Sequence, residues 1–319
     1  MQAVAEIDRL KVLDTAFAGV EILYDPEALV RREDLDVILD LTRGPGTVDL
    51  LKLALARRRP VVTPKKALLK EHGEELERIA LQHGGRLAYH DSIAAGWPLL
   101  YALERPLTQS GIAGIQAMLS ASCNVMLERM EAGTPFEEAL ADVVARELTE
   151  PDPDLDVSGW DSAQKLTILL AQASGLRYGA RDVPTTGIRD LDPSLVREAP
   201  DLGYRVKLVS MARRDGRRVR AVVRPMAVPR ESHLGLIRGE NHVVVLQLTD
   251  RGETVYVGSG SGDLPVATAV LNDLIGLFDP DHSWTGRFPR AGEATAEPRF
   301  GRWLARDAGH TGVREGDAP

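Results

Sequence analysis

The chain has 319 residues, 44% of them hydrophobic, and a formal net charge of -8. That length suits one large or two medium domains with a substantial core, and the acidic balance argues against a nucleic-acid partner held by phosphate neutralisation. A single cysteine, Cys123, excludes an internal disulfide. No apolar run reaches the roughly 20 residues of a membrane span, and the opening MQAVAEIDRLK lacks an apolar signal region. A cytoplasmic chain with no membrane partner is expected.

The first third alternates strand and helix patterns. QAVAEIDR reads as a strand ending in acids. Leu35–Leu41 (LDVILDL) is an almost continuous apolar run closed by Gly44-Pro45-Gly46, which suits a buried parallel strand and a turn. Val48–Arg59 has helical spacing with a basic end. Pro60–Thr63 (PVVT) is a second strand, Glu71–His83 a helix stopped by Gly84-Gly85, and Arg86–His90 a third strand. This repetition predicts an α/β layout with a parallel sheet.

The pattern then changes. Ile112–Ile115 begins a strand, Ser122–Glu131 follows at helical spacing, and Pro135–Ala145 is amphipathic with acids in its first turn. A helix is expected over about Asp161–Ser174, stopped by Gly175. Residues 204–257 contain four strand patterns, paired as antiparallel hairpins at Asp215-Gly216 and Arg251-Gly252. Val266–Leu277 is a final helix. The expected architecture is an incomplete Rossmann-like parallel-sheet domain over 1–88 and an α+β catalytic and dimerisation domain, mostly antiparallel, over 89–265. Helix 266–277 is expected to pack back on the first domain, and 278–319 to form an irregular tail.

The densest chemistry lies in TEPDPDLDVSGWDSAQKL, residues 149–166. Pro151 and Pro153 stiffen a loop carrying Glu150, Asp152 and Asp156. Asp161 and Lys165 are four residues apart, so a helix places them on one face. As an exposed ion pair they would contribute only about a few tenths of a kcal/mol. The following KLTILLAQA is apolar enough to bury the pair, and a partly buried lysine can serve as acid or base. Burial and the adjacent acids act on its pKa in opposite directions.

The segment resembles homoserine dehydrogenases, which carry a Glu-x-Asp-Pro loop, a downstream Asp and a Gly-x-Asp-x-x-x-Lys run. Matching residues are Glu150-Pro151-Asp152-Pro153, Asp156, and Gly159 through Asp161 to Lys165. The resemblance extends over about residues 33–276. It includes LDVILDLTRG, PVVTPKKALL, YHDSIAAGWPLL, SASCNVML with Asn124, the Gly239-Glu240-Asn241 turn, and GSGSGDLPVATAVLNDL. It implies that Lys165 exchanges a proton at the substrate oxygen with Asp156 in support, and that Glu150, Asp161 and Lys66 bind substrate. Thr42, Lys66 and Gly262 would contact NADP or NAD. A small amino-acid substrate and a homodimer are implied as well.

Several positions depart from the family pattern. No Gly-x-Gly-x-x-Gly turn occurs before residue 43, so the first βα unit of a dinucleotide fold is expected to be missing; Gly258, Gly260 and Gly262 come too late to supply it. His90 stands where the family has a cation-adjacent Glu near Ile93, Ala95 and Trp97, and no metal is expected. Glu147 replaces a glycine, and Lys65 an asparagine. The implied function is NAD(P)-dependent interconversion of homoserine and aspartate 4-semialdehyde, or of a related amino-acid aldehyde and alcohol. The alternatives are a divergent paralogue with another substrate, and a non-catalytic pseudoenzyme or partner subunit that binds no nicotinamide cofactor.

Overall fold

The computed structural model describes residues 2–6, 18–42, 46–89, 99, 103, 111–150, 152–174, 178–215, 218–249, 252–259, 263–278, 302–307 and 310–315. The chain divides into two compact units, Met1–Ser92 with Thr268–Gly286, and Ile93–Ala267 with Arg287–Pro319.

In the first unit, β1 (Ala3–Ala5) pairs in parallel with β2 (Glu21–Leu23). Helix α1 (Pro26–Arg31) starts with proline at its first position, and the Asp25 carboxylate accepts the Glu27 N–H at 2.9 Å. Strand β3 (Ile38–Leu39), helix α2 (Val48–Ala56), β4 (Val61–Val62), α3 (Lys66–His83) and β5 (Leu87–Ala88) follow. Strands β3, β4 and β5 form a parallel three-stranded sheet in that order, as the strand–helix repetition implies. Leu51, Leu55, Val61, Leu76 and Leu87 are its fully buried centre. Helix α3 begins at Lys66, five residues before the expected Glu71, because the run KALLK already has helical apolar spacing once Pro64 is passed. It ends where Gly84, at φ 75°, takes the left-handed conformation that glycine adopts without strain.

The second unit is built on a long antiparallel sheet. Strand β6 (Ile112–Met118) leads into helices α4 (Ala121–Glu131), α5 (Phe136–Ala145), the short α6 (Asp154–Val157), α7 (Trp160–Ser174) and α8 (Pro193–Glu198). The hairpin β7 (Tyr204–Asp215) and β8 (Arg218–Pro229) is joined through α9 (His233–Leu236) to the hairpin β9 (Asn241–Leu248) and β10 (Gly252–Ser259). Helix α10 (Asp263–Gly276) follows. Within the segment expected to be irregular, β11 (Arg302–Asp307) and β12 (His310–Glu315) instead form an antiparallel pair. Glycines and charges around Trp303, Leu304 and Val313 hide that strand signal in the sequence. Strand order is β10-β9-β6-β7-β8-β11-β12, every neighbouring pair antiparallel.

Both faces of this sheet are apolar: successive side chains point to opposite faces, and the strands are apolar at positions of both parities. Val206, Leu208 and Ala212 share one cluster with Leu127, Val143, Leu166 and Leu169 of the helices. The alternate residues Val209 and Met211 join Met118, Val222, Val243 and Val245 in another. In the first unit, Val270 and Leu277 pack with Val62 and Ala88, and the Arg86 guanidinium donates to the Leu277 carbonyl. Among the described residues no helix is long and apolar enough to cross a membrane.

Candidate active site

The acidic segment of the second unit folds around the start of α4. Ser120, the residue before that helix, accepts the Cys123 N–H at 3.2 Å and lies 3.0 Å from the Ser122 hydroxyl. Ser122 Oγ in turn donates to Asp156 Oδ1 at 2.8 Å. A hydroxyl has one proton. Because Ser122 directs its proton to Asp156, Ser120 must direct its own to Ser122. The chain therefore runs one way, from the Cys123 amide through two hydroxyls to the carboxylate. The other carboxylate oxygen, Oδ2, accepts the Glu150 N–H at 2.9 Å. Asp156 thus ties α4 to the segment entering the acidic loop. Burial raises its carboxyl pKa; the Glu150 N–H and the Ser122 hydroxyl oppose that shift, Asp161 reinforces it and Lys165 opposes it.

Lys165 and Asp161 stand one turn apart on α7, with side chains 9% and 6% exposed and the ammonium 2.8 Å from Asp161 Oδ2. This is a buried pair rather than a solvated one. Lys165 also donates to the Leu119 carbonyl at 2.6 Å, at the end of β6 and immediately before Ser120. Lys165, Asp161, Asp156 and the residue Glu150 are therefore gathered at one place, where β6 ends and α4 begins. Burial pushes the Cys123 thiol up to about 12, so it is a packed side chain, not a nucleophile. Its Sγ contacts the Asp156 carbonyl at 3.3 Å.

A tight turn aims α7. Gly159 has φ 80°, and a Cβ there would come 3.0 Å from Thr185 Cγ2. Opposite it, a Cβ at Gly187 would sit 2.1 Å from the Val157 carbonyl and 2.6 Å from Ser158 Cα, against backbone that no rotamer change relieves. The Ile188 N–H donates to that same Val157 carbonyl at 2.8 Å. Gly187→Ala is expected to destabilise the protein by about 1–3 kcal/mol, the range for overpacking, and to displace Asp156 and Asp161 on either side of the turn. Thermal unfolding and turnover, measured on the same preparation, check this.

In the first unit Thr42 lies just past β3. Its hydroxyl donates to Asp40 Oδ1 at 2.7 Å and receives a bond from Lys65 Nζ at 2.7 Å. Thr47 does the same with Asp40 Oδ2 and Lys65, each at 2.7 Å. Lys65 closes the ring on Asp40 at 3.0 Å. The buried Asp40 carboxylate is thereby matched by a partly buried ammonium. Lys66 is the first residue of α3. Gly262, His90, Ile93, Ala95 and Trp97 lie outside the described residues. Glu147 has φ 56°, a left-handed backbone that glycine accepts freely, at the position where the resemblance has a glycine.

Sequence reasoning missed Ser120, Ser122, Asp40 and the Leu119 carbonyl. Ser122 had a signal, two residues before Asn124 in SASCNVML, but nothing in the spacing shows a hydroxyl reaching a residue 34 positions away.

Comparison with known proteins agrees with the geometry. The homoserine dehydrogenase family model matches residues 98–275. Homoserine dehydrogenase of Neisseria gonorrhoeae is 32% identical over 255 residues, covering 79% of this chain and 59% of that protein. That of Bacillus subtilis is 31% identical over 247 residues, covering 77% and 57%. The crystal structure of a homoserine dehydrogenase from Thiobacillus denitrificans superposes with a TM-score of 0.81 at 30% identity, covering 86% of this chain and 64% of that one. One from S. aureus gives 0.72 at 26% identity, covering 88% and 69%. The chain spans about three fifths of the length of the curated relatives it matches. With a family match over more than half its length, on the same helices and strands that gather Glu150, Asp156, Asp161 and Lys165, the chain belongs to the homoserine dehydrogenase family.

Proposed function

We propose that this chain catalyses the NAD(P)-dependent interconversion of homoserine and aspartate 4-semialdehyde. The observation that carries the reading is the buried Asp161–Lys165 pair beside Asp156 at the end of β6. A lysine held there by a carboxylate and a carbonyl has a fixed Nζ, and proton transfer to a reacting oxygen needs that geometry. In this reading Lys165 gives its proton to the carbonyl oxygen during reduction and takes it back during oxidation. Asp161 and Glu150 supply negative charge for the substrate ammonium. Asp156 holds the Glu150 segment against α4.

A nicotinamide cofactor, when bound, supplies or accepts the hydride. The first unit fits such a group in two respects. Its parallel strands present their C-terminal ends, where α/β sheets bind nucleotides, and the buried Asp40 beside Thr42 is neutralised by Lys65, so it does not repel phosphate. Thr42, Lys66 and Gly262 are the residues assigned to hold it. The test is NADPH- and NADH-dependent reduction of aspartate 4-semialdehyde alongside a panel of other β-semialdehydes and 2-oxo acids, with cofactor binding by calorimetry. Turnover strongest on aspartate 4-semialdehyde is expected. Cofactor binding with turnover only on another compound would remove the substrate, and no cofactor binding would remove the reaction.

A further inference from the structure

Apart from the acidic site, the second unit contains another buried charge that the mechanism leaves unused. Lys207 on β7 is 1% exposed. Its ammonium donates to Asn124 Oδ1, to the Ile237 carbonyl at 2.8 Å and to Glu128 Oε1 at 3.4 Å. Asn124 and Glu128 lie on α4; Ile237 begins the strap Ile237–Asn241 that enters β9. The same α4 residues grip the strap directly. Asn124 Nδ2 donates to the Gly239 carbonyl at 2.6 Å, and Glu128 Oε1 accepts the Gly239 N–H at 3.0 Å. Arg238 of the strap adds contacts of 3.3 Å to Glu128 and Glu131. The strap's other charged side chain, Glu240, pairs with Arg146 at 2.5 Å. Arg146 is the residue that caps the C-terminal end of α5, four residues before Glu150.

These contacts close a loop. Asp156 bridges α4 and the Glu150 segment through Ser122 and the Glu150 amide. The strap bridges the same two segments from another direction, through Lys207 and Glu128 on one side and Arg146 on the other. We propose that the strap Ile237–Asn241 is a positioning element of the site, with Lys207 as its clasp: it sets the separation between Ser122 and Glu150 across which Asp156 is held. The functional consequence rests on the activity proposed above; the mechanical coupling does not.

The pH dependence of the clasp has a definite sign. Burial lowers the Lys207 pKa to about 8; Glu128 raises it, while Arg238 and Arg205 lower it further. Glu131, which faces Arg205 and Arg238, completes the charged set. A clasp that opens and solvates Lys207 returns it to the ordinary 10.5. Between those values the open form binds more protons, so rising pH favours closure.

Hydrogen exchange of the full chain, corrected for intrinsic rate, reads this without activity. Glu240→Gln, which breaks only an exposed pair, is expected to speed exchange about 3- to 5-fold in peptides covering both 237–241 and 146–150. Lys207→Met should speed exchange in both, and wild type should gain strap protection between pH 7 and 9.5 that Lys207→Met lacks. Effects of Glu240→Gln confined to one peptide, or a strap that loosens with pH, overturn the proposal. Should Lys207→Met fail to fold, Glu240→Gln still decides the coupling. In the active enzyme Glu240→Gln should raise the KM for the amino acid and leave kcat within about twofold, since a positioning contact acts on binding. An inactive chain with coupled peptides would reject the activity and keep the strap.

Discussion

Lys165→Met is expected to lower kcat by about 10²- to 10⁴-fold, the usual contribution of a positioned proton donor. The same change should destabilise the protein by about 3–5 kcal/mol, because it leaves the buried Asp161 carboxylate without its ammonium. The two effects are separable. Asp161→Leu added to Lys165→Met removes the stranded charge, so the double variant should regain most of the stability and none of the activity. Lys165→Arg separates holding from proton exchange. A guanidinium can still pair with Asp161 but does not deprotonate in the working range, so stability should stay closer to wild type while kcat remains at least about 10²-fold down. Urea unfolding and steady-state kinetics on the four proteins suffice. A Lys165→Met enzyme with near-native kcat would remove Lys165 from the chemistry and leave it a structural ion pair.

The sequence made this site legible because its parts are local. Glu150, Asp156, Asp161 and Lys165 fall within 16 residues, and helical periodicity alone places the last two on one face. Apolar spacing likewise predicts the parallel β3-β4-β5 layer and both hairpins, since each rests on short-range alternation between strand, turn and helix. What escaped is what only tertiary structure brings together. Ser122 meets Asp156 across 34 positions, and Lys207 meets Asn124 across 83. In the sequence Lys207 sits at one position of a strand pattern, YRVKLVSMA, where a charge reads as the solvated side of a half-buried strand. It is buried because this sheet is apolar on both faces. Lys65 read as a departure from the family pattern next to the assigned Lys66. The fold gives it a partner, Asp40, 25 positions away. The pair β11–β12 was hidden for a different reason, its few apolar residues being diluted by glycine and charge.

Asp156 offers the sharpest pH test. Its carboxyl pKa is raised chiefly by burial, and the Glu150 N–H and Ser122 hydroxyl are the two bonds that most oppose the shift. Ser122→Ala deletes one of them, so the acid limb of kcat/KM should move to higher pH. Ser122→Thr, which keeps the hydroxyl, should move it back. Loss of packing alone lowers activity at every pH and leaves the limb in place, so the profile distinguishes the two roles. Asp156→Asn goes further. An amide can accept from one of the two donors but turns an N–H toward the other, and kcat/KM should fall about 10- to 200-fold, as expected for about 1.5–3 kcal/mol of charged hydrogen bonding. Stability should respond with the opposite sign. A folded-state pKa above the ordinary 3.8 means that the cost of burying the ionised group is absent below 3.8 and fully present above the raised value. Wild type should therefore lose stability as pH climbs through that window, and Asp156→Asn should not. A Ser122→Ala acid limb superimposable on wild type would show that the hydroxyl chain from Ser120 does not set the charge of Asp156.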